Sequence, residues 1–385
     1  MLNPHPSLRL RDLALRGGRR HIARLQPGES LTFTYQARSA IFQFCRSLPN
    51  NGEGLVLVPA FHCPTVVEPI LRAGCRVAFY RIHKDLSIDY EDLVRKVQQG
   101  VMAVLVIHYC GFPVDLSPIL ATRGDNKWFL IEDWSHSFLD ARSNSLTGGE
   151  GDCAVYSFYK QVPTFVGGGL RITRPGFTVP KPTGRPGIRS SLVILKRLVE
   201  QAVENSDATY VQKLFLALER KRIETFRKPT VDAAPDNYEF DENLANSGMP
   251  ALSKAVLDLS DWPLIVRRRR ELYRIWAESL RTHPGLEKVF DALPESVCPW
   301  AFPVLMDERA RYDYQLRARG VPLFTFGETL HPLLAQSDPA AREDAQFLSR
   351  NLLMLSVDQR LSDEVIAQCC RIVNEFYDSD AVALR

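Results

Sequence analysis

Between residues 31 and 173, short and almost wholly apolar runs recur, each separated from the next by a stretch of helical periodicity. That alternation restricts the fold more than any other feature of the chain. Residues 54–59 (GLVLVP), 76–80, 102–108 (MAVLVIH), 128–132 (WFLIE) and 153–158 read as strands. Residues 38–48, 65–74 and 89–99 read as helices; the second ends on Gly74 and the third carries acidic residues in its first turn. A strand that is apolar on both faces needs cover on both faces. A mainly parallel sheet with helices above and below supplies it, so the expected fold is α/β, a three-layer αβα arrangement.

A chain of 385 residues has room for that domain and a smaller one. Residues 1–30 read as an N-terminal extension and 31–246 as the large domain. Within the latter, residues 174–238 form an insertion. It opens with the surface loop RPGFTVPKPTGRPG and continues as a helical pattern over 190–227. Residues 247–385 read as a smaller α+β domain, opened by one long helix over 250–281. The run Arg267 to Arg270 lies in that helix and reads as a solvated face.

A net charge of +3 gives no reason to expect nucleic acid or an anionic membrane as partner. No apolar stretch is long enough to span a bilayer, and residues 1–24 interleave Arg and Pro where a signal peptide would be apolar, so a cytoplasmic protein is expected. The eight cysteines form no C-x-x-C pair and mostly sit in apolar runs; buried thiols are expected, with no disulfide and no metal site. No strand is followed by G-x-G-x-x-G, which argues against a nicotinamide-dependent Rossmann enzyme.

In parallel α/β sheets, ligands bind beyond the carboxyl ends of the strands. That rule selects residues 59–64, 108–113, 133–137 and 157–169. Asp133 directly follows WFLIE. It is either an N-cap or ion-pair partner, or a carboxylate facing a ring nitrogen, where an anion keeps a pyridinium protonated as an electron sink. Lys160 lies in the turn after a strand ending near Tyr156, ahead of Gly167 to Gly169. It is either an exposed loop lysine or an amine made nucleophilic by desolvation. The helix start Gln36-Ala37-Arg38-Ser39-Ala40 offers amides, a hydroxyl and a guanidinium suited to a phosphate.

Taken in order, these segments resemble the DegT/StrS family of sugar aminotransferases. ARSAI (from Ala37) resembles its phosphate-binding helix start. VLVPAFHCPTVVEPILRAGCRVAFYRI (from Val56) is similar to its strand, cofactor-facing turn and helix, and VIHYCGFPVDL (from Val106) to its His-x-x-Gly-x-Pro-x-Asp segment. IEDWSHSF (from Ile131) resembles its IEDxAQ motif, and GDCAVYSFYK with the glycines its lysine-bearing segment. SGMPALSKAVLDL, GVPLFTFGETLHP and LLMLSVDQRLSDEVI resemble parts of its small domain.

The resemblance implies a pyridoxal 5'-phosphate (PLP) enzyme of fold type I. It implies an aminotransferase with an amino-acid donor and a nucleotide-linked keto-sugar acceptor, serving polysaccharide or secondary-metabolite biosynthesis. It also implies a homodimer with its site at or near the interface. Asp133 would pair with the pyridine nitrogen. His136, where the family usually has Gln, would reach the phenolic oxygen. Ser157 with Arg38 and Ser39 would hold the phosphate, and His62 or Cys63 would lie against the ring face. The family's usual Ser-x-x-x-x-Lys spacing falls on Val162; Lys160 stands three residues after Ser157, as in Ser-x-x-Lys relatives, and would form the Schiff base. The alternative is a PLP-binding or cofactor-free homologue with other chemistry. Lys127 precedes a strand and Lys84 sits in an exposed loop, so neither competes with Lys160.

Overall fold

The computed structural model describes residues 25–49, 53–124, 128–184, 186–187, 191–196, 240–290 and 292–383. Residues 1–24 of the expected extension, Lys127 and most of the 190–227 pattern lie outside these; residues 191–196 are helical.

The apolar runs become neighbours in one seven-stranded sheet. Its strands are β1 (Ser30–Thr34), β2 (Leu55–Pro59), β3 (Arg76–Tyr80), β4 (Ala103–Ile107), β5 (Phe129–Trp134), β6 (Cys153–Ser157) and β7 (Gly168–Ile172), in the order β1-β7-β6-β5-β4-β2-β3. Strands β2 to β6 pair in parallel, and β7 runs against both its neighbours. Every residue of β4, β5, β6 and β7 is buried, which is why the apolar residues of β4, β5 and β6 run on rather than alternate. Helices α1 (Ala37–Arg46), α2 (Pro64–Arg72) and α3 (Tyr90–Gln98) match the expected spans within two residues; α2 and α3 bury one face, whereas α1 is buried all round from Ser39 to Cys45.

The chain passes from β2 outward to β3, then returns to β4 on the other side of β2. The crevice between the carboxyl ends of β2 and β4 is therefore the topological switch point, where open α/β sheets bind ligands. The β4–β5–β6 register sets Ile107 beside Asp133 and Asp133 beside Val155. The chemistry-bearing residues thus sit level at one edge of the sheet.

The small domain has a four-stranded antiparallel sheet in the order β8-β9-β11-β10, from β8 (Leu286–Lys288), β9 (Ala301–Met306), β10 (Leu323–Phe324) and β11 (Leu352–Ser356). The single helix expected over 250–281 is two, α4 (Ala251–Leu259) and α5 (Trp262–Ser279). Asp261 caps α5, its side chain accepting from the Leu264 amide at 3.0 Å, and Pro263 occupies the first turn, where a missing N–H costs nothing. The solvated-face reading of the arginine run also needs correction. Arg267 is 64% exposed at its side chain, but Arg269 is only 2% exposed.

Candidate active site

A cavity of about 440 Å³ opens at the switch point. Its floor is built by strand ends: Cys63 beyond β2, Ile107 at the end of β4, Asp133 and Ser135 at the end of β5, and Ser157 at the end of β6. Gln36, Ala37 and Arg38 at the start of α1 form one side, and Tyr159 and Lys160 the turn above β6. Trp300, Phe324 and Phe326 from the small domain form an aromatic wall opposite.

Asp133 is buried and its Oδ1 accepts from the Ser135 amide at 2.8 Å. Its neighbour Glu132 turns to the opposite face of the strand. There Glu132 accepts from the amides of Gly149 (2.9 Å) and Gly151 (2.7 Å) and from Trp134 Nε1 (3.0 Å). Burial opposes ionisation of Glu132, but His108 and the two amides outweigh it and bring its carboxyl down to about 2. Of two consecutive carboxylates, one is thus consumed by the fold and one faces the cavity.

Lys160 ends a short 3₁₀ turn, Phe158–Lys160. Its Nζ lies 4.4 Å from the Trp300 ring centroid and 5.9 Å from that of Phe326. Burial lowers its pKa and the Asp133 charge only partly restores it. The amine is therefore uncharged more often than that of an ordinary lysine, which makes it a better nucleophile. Val162, two residues on, is fully buried in an apolar cluster with Phe138, Phe158 and Trp262. The turn brings Lys160, and not position 162, to the cavity.

His136 is buried, and its Nδ1 accepts from the Cys110 amide at 3.0 Å. In the neutral ring the proton then sits on Nε2, which is left as a donor. Burial, and secondly the Lys160 charge, hold the His136 pKa well below 6.5, so this tautomer persists across the neutral range. The Ser157 hydroxyl is buried with no hydrogen bond of normal geometry among the described residues, although the nearby Tyr159 phenol feels it. β7 backs directly onto the α1 start: a side chain at Gly168 would come within 2.5 Å of the Ala37 amide nitrogen.

Six of the eight expected site residues, Arg38, Cys63, Asp133, His136, Ser157 and Lys160, line the cavity. Ser39 and His62 do not. Ser39 is 1% exposed and its amide is used within the first turn, bonded to the Gln36 carbonyl. The His62 ring stacks on Phe79 with centroids 5.0 Å apart. Its Nδ1 bonds the carbonyls of Pro59 (3.0 Å) and Ala60 (2.9 Å), and its Nε2 accepts from the His331 amide (3.3 Å). All three bonds require the neutral Nδ1–H form. Of the two candidates for the ring face, Cys63 alone is placed for it. Tyr159, Trp300 and Phe326 went unread. Tyr159 is adjacent to Lys160 and was within reach; the aromatic wall comes from strands more than a hundred residues away, and no local pattern marks it.

His62 yields a pH prediction. Burial and the His331 charge lower its pKa to about 4 against the pull of the two carbonyls. Between about pH 4 and pH 6.5 the unfolded chain therefore binds the extra proton, and stability rises with pH. The loss on going down to pH 4 is on the order of 3 kcal/mol. Denaturation midpoints from pH 4 to 7 are expected to climb in the wild type and to climb less in His62→Gln; equal slopes would remove His62 as the source.

Comparison with known proteins agrees with this geometry. Residues 39–177, which hold strands β2 to β7 and the Lys160 turn, match the model of the DegT/DnrJ/EryC1/StrS aminotransferase family. GDP-perosamine synthase of Vibrio cholerae is 28% identical over 105 residues, 27% of this chain and 29% of that protein. The matched stretch thus spans less than a third of that relative's length. A DegT/DnrJ/EryC1/StrS aminotransferase from Brucella abortus superposes with a TM-score of 0.63 at 17% identity, over 90% of this chain and 86% of its own. GDP-4-keto-6-deoxy-D-mannose-3-dehydratase of E. coli, solved with bound hydrated PLP, gives a TM-score of 0.61 at 18% identity over 89% and 87%. The fold is that of the PLP fold-type-I aminotransferases. Over residues 39–177 the large domain of this chain is similar to the DegT/DnrJ/EryC1/StrS aminotransferases.

Proposed function

We propose that the protein is a PLP-dependent aminotransferase that moves an amino group from an amino-acid donor to a nucleotide-linked keto-sugar, in polysaccharide or secondary-metabolite biosynthesis. The observation that carries this is the Lys160 amine, depressed in pKa by burial and set in the cavity with the Asp133 carboxylate. It favours this reading over a homologue without a covalent lysine.

The residues present fit the cofactor. The buried Ser157 hydroxyl, the Arg38 guanidinium and the α1 start would take the phosphate, a charge-assisted site at a helix N-terminus. Asp133 would hold the ring nitrogen protonated, the His136 Nε2–H would donate to the ring oxygen, and Cys63 would lie against the ring. When bound, PLP supplies the electron sink that the reaction needs. Lys160 would hold the cofactor through its amine and, when that amine is free, would move a proton off and back onto the substrate carbon. The aromatic wall of Trp300, Phe324 and Phe326 would limit the access of water to that exchange.

The names of the sugar-processing relatives support the acceptor class. Among the described residues no helix is long and apolar enough to cross a membrane, which fits a soluble, cytoplasmic protein. A homodimer with the cavity near its interface completes the proposal, and a monomeric mass at micromolar concentration would remove that part.

The test is spectroscopic. Purified protein with PLP is expected to show a visible absorbance band that an amino-acid donor shifts and borohydride abolishes. Mass spectrometry of the digest should then find the pyridoxyl group on Lys160. Protein that never takes up PLP would overturn the proposal.

A further inference from the structure

The second oddity of the chain lies outside the cavity. Arg269 sits mid-helix in α5, on the buried face it shares with Trp262 and Trp276. Its Nε donates to Gln359 Oε1 at 2.9 Å, Nη1 to the carbonyls of Pro299 (3.3 Å) and Trp300 (3.2 Å), and Nη2 to the carbonyl of Lys160 (3.4 Å). None of these acceptors is a carboxylate. The nearby Asp358 is spent on Arg360, at 2.8 Å. A buried cation without a contacting counter-ion is costly unless its donors are satisfied, and here neutral oxygens satisfy them. Gln359 returns to the same turn, its Nε2 donating to the Gln161 carbonyl at 3.0 Å.

Two of the segments so joined form facing walls of the cavity. One is the turn that carries Lys160; the other is the entry to β9 that carries Trp300. The Trp300 amide in turn donates to the Cys110 carbonyl at 2.9 Å, and the Cys110 amide holds His136. Cys110 does both from a left-handed backbone, φ 56°.

We propose that Arg269 is a positioning residue: by pinning the main chain of Lys160 to that of Trp300, it holds the Lys160 amine against the indole face and away from bulk water. The reactivity of the amine is then set by a helix that touches neither cofactor nor substrate. The inference rests on the reading of Lys160 as the reactive amine, but its test needs no cofactor.

The experiment is trace acetylation of the full chain, freed of pyridoxal compounds, from pH 7 to 11. Lys160 is read against exposed Lys84 in the same digest. In the wild type, Lys160 should titrate below Lys84. In Arg269→Met its midpoint should rise by about one unit, leaving about tenfold less free amine at pH 8. Gln359→Leu removes the Nε acceptor and the tie to Gln161 but leaves the arginine charge, so a rise there reports position rather than charge. A Gln359→Leu profile that overlays the wild type overturns the proposal, as does an Arg269→Met protein that loses thermal stability with the Lys160 midpoint unmoved. Should Arg269→Met fail to fold, Gln359→Leu decides alone. Wild-type protein that refuses PLP, yet shows both shifts, would sink the aminotransferase reading and leave this one standing.

Discussion

Lys160→Ala is expected to abolish the borohydride-reducible link to PLP and to lower transamination by about a thousandfold or more, since both the covalent attachment and the proton transfer are lost. The Ser157, Arg38 and helix-start contacts remain in this variant, so PLP should still bind loosely and dialyse away. Thermal stability should change little. The amine makes no ion pair among the described residues, and the Trp300 and Phe326 rings that its Nζ lies over stay in place in the variant. The informative control restores a lysine at the family's usual spacing. Val162→Lys in the Lys160→Ala background is expected not to rescue activity. It would place an ammonium among Phe138, Phe158 and Trp262, at a cost on the order of several kcal/mol. A reducible adduct that persists in Lys160→Ala, or activity regained through position 162, would sink the assignment.

The contrast between positions 160 and 162 shows what a sequence carries and what it hides. The βα alternation was legible because β4, β5 and β6 are buried on both faces, so their apolar residues run on without alternating. The polar residues just past those runs had to gather at one sheet edge, and most of the cavity floor followed. Which way a short turn aims its side chains is set by tertiary contacts. Hence motif spacing left open whether Lys160 or no lysine serves the site, and His62, which does not line the cavity, stood beside Cys63 as a candidate. The Arg269 signal was present and overlooked. Trp262, Val266, Arg269, Tyr273 and Trp276 recur at helical spacing, so one arginine of the run falls on the apolar stripe. A charge in that register calls for a buried partner, but the partners are main-chain oxygens at 160, 299 and 300, which no side-chain pattern announces.

Adjacent carboxylates on β5 give the sharpest separation of fold from chemistry. Asp133→Asn should leave the fold intact. The strand stays paired on both sides, and the amide oxygen of Asn can still accept from the Ser135 N–H, the contact Asp133 Oδ1 makes now. What Asn cannot do is present an anion. Without it the ring nitrogen of a bound PLP is no longer held protonated, and negative charge left on the substrate carbon has no sink. Removing one charge-stabilising group from a water-poor site costs about 10²–10³ in rate, and turnover in Asp133→Asn is expected to fall by at least that. Affinity for PLP should fall much less, because the phosphate contacts are untouched. Glu132→Gln should do the reverse. The Glu132 carboxylate, held at about 2, is worth on the order of 3 kcal/mol above pH 4.5, and that contribution is lost as pH falls toward 2. Replacing it should lower the melting temperature with turnover per folded molecule near normal, since it faces away from the cavity. The two variants measured side by side, turnover against melting temperature, are expected to move along different axes. Near-normal turnover in Asp133→Asn would refute the role given to that carboxylate. A large loss of stability there, with Glu132→Gln unaffected, would mean that the two faces of β5 have been assigned the wrong way round.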